Sequence, residues 1–138
     1  MMLPSEAHEA TLEFWCSSGR GSVARRAVAE LLAAQLEDHG YSVMGVDDDR
    51  DEDISWVELA NIPPFVLQVA IGEHPRGGGW MLASLYPPLP YVRVWLRKVS
   101  TLAVVTDLGE ATQSILGHSS ICSDVRWLSE EEVRRLWL

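Results

Sequence analysis

The sequence predicts an α+β fold: a largely antiparallel sheet of about six strands with helices packed on one face, a two-layer sandwich. Three observations predict it. A single amphipathic helical pattern near the start is followed by four β-rich segments joined by short turns, and short connections between strands require antiparallel pairing. Helical spacing then returns after a proline-rich break. Finally, 138 residues with 47% apolar and 22% charged side chains make one ordinary domain, which buries roughly two-thirds of its unfolded surface without metal or disulfide. The expected order is β-α-β-β-β-β-α-α-β-α in one domain, 1–138, with residues 1–9 as a loose leader.

Thr11 to Cys16 reads as the first strand, rich in β-formers. Ser17 to Gly21 is a turn, and Ser22 is a suitable helix N-cap. From there Val23, Ala27, Val28, Leu31, Leu32 and Leu36 fall on one helical face, with Arg25, Arg26, Glu30 and Glu37 mostly elsewhere. Gly40 is placed to end that helix in the left-handed conformation. Tyr41 to Val46 is a short strand, Asp47 to Asp53 an acidic loop, and Ile54 to Ala60 a strand stopped by Asn61, Pro63 and Pro64. Phe65 to Glu73 and Trp80 to Tyr86 are strands around a Pro-Arg-Gly-Gly-Gly turn.

Pro87, Pro88 and Pro90 interrupt the sheet. Across 91–105, Val92, Val94 and Leu96 alternate as a strand would, yet Val92, Trp95, Leu96, Val99, Leu102 and Ala103 recur at helical spacing; the second pattern is preferred, because fifteen residues are long for one strand. Asp107 and Glu110 resemble a capping box, followed by an apolar helical face, Leu108, Ala111, Ile115 and Leu116, that Gly117 closes. Ile121 to Leu128 is the last strand. Ser129 with Glu132 is a second capping box, opening a helix to about Leu136 with Arg134 and Arg135 in its last turn.

Two segments carry possible chemistry. The first is Cys16-Ser17-Ser18-Gly19-Arg20-Gly21-Ser22, between a strand and a helix. Amides of a Gly-rich turn at a helix start bind anions, and a cysteine there becomes nucleophilic. About 25 residues here resemble the phosphorylated-cysteine loop of phosphotransferase-system IIB components. The resemblance implies phosphoryl transfer with Cys16 as nucleophile and Arg20 beside the phosphate. The rest of the chain departs from that family, since it does not read as alternating parallel β-α units. The competing reading is a tight turn with Cys16 buried.

The second is the acidic run from Asp47. Asp47, Asp49, Asp51 and Glu58 fall at the spacing of an EF-hand calcium loop, but Glu52 stands where the sharp turn needs glycine, so no metal is assigned. Six acids in seven residues, Asp47, Asp48, Asp49, Asp51, Glu52 and Asp53, form a compact negative patch suited to a basic surface on another protein. Residues 1–53 hold 12 acids and 4 bases, net −8, of the chain's −9. The four histidines are scattered and none pairs at metal-ligand spacing.

Acidity argues against binding nucleic acid through phosphates. No apolar run approaches a membrane span, and the N-terminus lacks a secretory pattern, so a cytoplasmic location is expected. Ten of the 11 bases are arginine, a usage associated with GC-rich bacterial genomes. Trp15, Trp56, Trp80, Trp95 and Trp127 lie in apolar segments, where core packing is the default role. The expected function is a non-enzymatic, acidic, bacterial binding protein without cofactor. Its most specific form is an immunity protein or antitoxin that docks Asp47 to Asp53 on a basic toxin site, with Trp56 or Trp80 as aromatic anchor. The alternatives are a secretion chaperone that binds an effector segment, usually as a dimer, and an enzyme using Cys16.

Overall fold

Sequence alternation sets the architecture. In a computed structural model, which describes residues 10–49, 51–60, 67–86 and 91–136, the first strand β1 (Ala10–Cys16) sends Leu12, Phe14 and Cys16 to one side of a sheet. Thr11, Glu13 and Trp15 point to the other. The same period of two repeats in β3 (Ile54–Leu59), β4 (Gln68–Glu73) and β5 (Trp80–Tyr86), where Val57, Leu59, Val69, Ile71, Met81, Ala83 and Leu85 face the core. With β2 (Val43–Asp49) and β8 (Cys122–Trp127) these strands form one antiparallel six-stranded sheet, ordered β2-β3-β4-β5-β1-β8. The edges are β2 and β8.

Two helices cover one face. Helix α1 (Ser22–Leu36) buries Ala24, Val28, Ala29, Leu32 and Leu36 against β2, β3 and β4. Helix α2 (Leu102–His118) buries Val105, Leu108, Ala111, Ile115 and Leu116 over β1, β5 and β8. It comes close because residue 109 is glycine: a Cβ there would lie 1.9 Å from the Trp127 ring. The short α3 (Glu130–Leu136) buries no residue. The fold class is therefore the one the patterning predicts; on the opposite face of the sheet, Glu132 of α3 pairs with Arg126 of β8.

Several local expectations change. Segment 91–105 is not a helix at its start. Residues 91–100 form a separate hairpin of β6 (Tyr91–Val94) and β7 (Arg97–Ser100), and α2 begins only at Leu102. Asp107 and Glu110 thus lie inside α2 instead of capping it. Ser22 is the first residue of α1 and not its cap; the cap position is Gly21, at φ 96°. Val23 is exposed and Arg25 buried, the reverse of the expected faces. By contrast, Ser129 and Glu132 make the reciprocal capping bonds, each 3.1 Å, and Gly40 is left-handed at φ 91°. The leader 1–9, the Asn61–Pro64 stop, the first residues of the expected Phe65–Glu73 strand and the Pro87–Pro90 break lie outside the described residues.

Candidate functional site

The acidic run is half strand. Asp47, Asp48 and Asp49 are the last residues of β2, and the turn proper is confined to the residues before Ile54. Strand geometry then splits the run in two. Asp47 and Asp49 face the open side of the sheet, and Asp48 faces α1. There Asp48 accepts the Ser55 hydroxyl at 2.7 Å and the Arg26 guanidinium at 3.0 Å. The Ser55 hydroxyl, and then Arg26, hold this carboxyl below the usual range. Asp53 lies 3.8 Å from the buried Arg25. Asp49 shapes the turn, accepting the amides of Asp51 and Glu52 at 3.1 and 3.2 Å.

The remaining carboxylates gather on the open face. Asp47, Asp49, Asp51 and Glu58, with Asp48 also on the lining, rim a shallow depression of about 480 Å³ whose wall includes Trp56 and Gln68. Its neighbour, about 310 Å³, is floored by Ile54, Ala70, Gly72, Leu82 and Ser84, with Glu52 and Asp53 on its margin. Trp56 and Tyr86 stand between, with ring centroids 5.4 Å apart. Among the described residues, no cation pairs with Asp47, Asp49, Asp51, Glu52 or Glu58. A carboxylate rim around a partly buried indole and a largely apolar floor can receive a cationic, partly apolar group.

Of the expected partner-binding residues, the structure thus brings Asp47, Asp49, Asp51, Glu52 and Trp56 together, turns Asp48 toward the helix, and sets Asp53 at the margin. Trp80 is elsewhere. It lies two strands across and four residues further along, roughly 10 Å in one direction and 13 Å in the other at the usual spacing, with Trp15 edge-on at 5.8 Å and the Arg76 guanidinium 4.2 Å above its ring. The calcium pattern does not close: two extended strands spread Asp47, Asp49 and Glu58 along a hairpin instead of curling them round a point. No group of three or more His, Cys, Asp or Glu among the described residues is placed to hold a metal.

The Cys16 loop does not present a nucleophile. Cys16 has no exposed surface and packs into the core. The anion seat at the start of α1 is filled by the chain's own Glu73, whose Oε1 accepts the Gly21 amide at 2.8 Å. Arg20 and Arg25 flank that same carboxylate at 3.4 and 3.3 Å. The antiparallel neighbours of β1 also differ from the parallel units of the resembled loop.

Two features escaped the sequence reading. On the β1–β8 side of the open face, Glu13 is buried, accepting the His74 Nε2–H at 3.0 Å and the Arg126 Nε–H at 2.8 Å. His74 Nδ1 accepts the Arg76 amide, which fixes the ring as its neutral Nε2–H tautomer. The signal available was an acid in the middle of an apolar strand, which must find partners. The second feature is the hairpin tip, where Trp95 and Leu96 are 93% and 94% exposed and Trp95 holds φ 59°. Of the five tryptophans read as core, only Trp127 is in it.

No model of a known protein family matches the chain, and no curated protein matches it.

Proposed function

We propose that the chain is a non-enzymatic binding protein whose acid-rimmed open sheet face docks a basic surface on another protein. An immunity protein or antitoxin is the most specific form of this reading. The observation that carries it is the sorting of the carboxylates. Those on the helix side are paired with Arg25 and Arg26, whereas those on the open side lie around Trp56 and Tyr86 and pair with no cation among the described residues. Charges on an edge strand also discourage strand-on-strand association. That role alone does not call for a partly buried indole among them, which is the composition of a binding anchor within a charged rim.

Mechanistically, the rim accelerates encounter with a cationic partner, and Trp56 supplies the desolvated contact that holds it. The test uses the whole chain as bait for proteins of its source cell, beside a variant with Asp47→Asn, Asp49→Asn, Asp51→Asn and Glu58→Gln. A discrete basic partner retained by the first and lost by the folded variant is the expected result. Equal recovery by both chains overturns the reading.

A further inference from the structure

We propose that Cys16 and Cys122 are a disulfide-forming pair that can covalently tie the edge strand β8 to its inner neighbour β1. They are the chain's two cysteines, both free, and they are direct partners in the antiparallel register. Hydrogen bonding identifies the type of pair. The Cys16 amide donates away from β8, to the Gly79 carbonyl at 2.8 Å, and the β1–β8 bond falls one residue on, from the Ser17 amide to the Ile121 carbonyl at 2.8 Å. This is a non-hydrogen-bonded pair, in which facing Cα atoms stand about 4.5 Å apart with their side chains at closest approach. That separation lies at the short end of the range that disulfides span. Both side chains face the core, so neither sulfur needs to turn about its strand to meet the other.

The chemistry needs an oxidant, a small disulfide such as oxidised glutathione. The Cys122 thiolate attacks one sulfur of that disulfide and releases a first small thiolate. Cys16, giving its proton to solvent, then attacks Cys122 Sγ and expels the second. The protein loses two protons and two electrons, and one small disulfide becomes two thiols. Cys122 is the entry point because it is 6% exposed, whereas Cys16 is sealed, and because β8 has a sheet neighbour on one side only. Burial raises the Cys122 thiol to about 11, so the exchange is slow and waits on local opening of the edge strand.

The test treats the purified full chain at pH 8 with oxidised glutathione, in buffer and again during refolding from denaturant. The expected product is a monomer lighter by about 2 Da with both thiols lost. Because the bond closes a loop of about 100 residues, its melting temperature should rise by roughly 10 °C over the reduced chain. Reduction should reverse the rise, and Cys122→Ala should abolish it. A glutathione adduct without the internal bond, a disulfide-linked dimer, two thiols still free after oxidative refolding, or an oxidised monomer that melts below the reduced one would each overturn the proposal.

Discussion

The open face of the sheet carries two polar clusters that differ in how their charges are spent. On the β1–β8 side, Glu13 is buried and both of its oxygens are used, by His74 and Arg126, while Arg126 also reaches Glu132 at 2.7 Å. On the β2–β3 side, Asp47, Asp49, Asp51 and Glu58 rim an open depression around Trp56. The first arrangement is closed: each group meets another within the chain, and a ligand would have to displace a bond already made. The second leaves its charge outward. A buried carboxylate must be satisfied internally or cost several kcal/mol, whereas a solvated one is held at little cost and stays available. The two sides should therefore respond oppositely to mutation, one in stability and the other in binding.

The largest effect is expected at Glu13. Glu13→Ala leaves the buried His74 Nε2–H without its acceptor and removes the anchor of Arg126, and should cost about 3 kcal/mol, or roughly 10 °C in melting temperature. The folded fraction of that variant should still capture a partner of the acidic face. Loss of partner affinity with unchanged melting would place Glu13 in the binding surface and break the comparison. Trp56→Ala is the converse case: about 2 kcal/mol lost in partner affinity, near 30-fold in dissociation constant, with a smaller change in stability. Titration calorimetry and thermal melts on the same preparations separate the two readouts.

The acidic run itself supplies a finer test, because strand geometry divides neighbours. Asp47→Asn with Asp49→Asn should slow association with a basic partner about 10-fold at low salt, an effect that shrinks as ionic strength rises. Asp48→Asn, one residue from each, should leave association nearly unchanged and instead cost about 0.5 kcal/mol of stability. Its carboxylate serves Ser55 and Arg26 on the helix side and is partly screened by solvent. Association rates that fell equally for all three sites would show that the patch acts as undifferentiated charge, whatever the face.

What could be read in advance follows the range of the forces involved. Strand β5 and the Ser129–Glu132 cap were legible because their signals are local: alternation within seven residues, or a pair three apart. Residues 91–100 were not, since helical spacing and alternation coexist there. Cross-strand pairing decided for the hairpin, with Arg93 opposite Lys98 and Trp95 in a turn position that usually holds glycine. The acidic patch was visible as composition, but its division was not, because a run of like acids carries no alternation that would extend the strand past Val46 and give Asp47 to Asp49 their faces. The Glu13 cluster joins residues 61 and 113 positions apart, so only the oddity of an acid between Leu12 and Phe14 hinted at it.

The smallest expected effect concerns acid. Arg126 first, and then the Ser129 amide, lower the Glu132 carboxyl from 4.5 to about 2. A carboxyl depressed in the folded chain adds stability that is complete above its unfolded value and fades as pH falls from about 4.5 toward about 2. Since Glu132 is substantially exposed, solvent keeps the contribution small, and its loss should fray α3 before the sheet is affected. Wild type and Glu132→Gln should then differ slightly in melting temperature at pH 7 and converge near pH 2. Glu132 belongs to the closed cluster, so the substitution should leave partner binding at pH 7 unaltered. A binding defect in Glu132→Gln would instead mean that Arg126 reaches the acid-rimmed depression and that the two sides of the face are one surface.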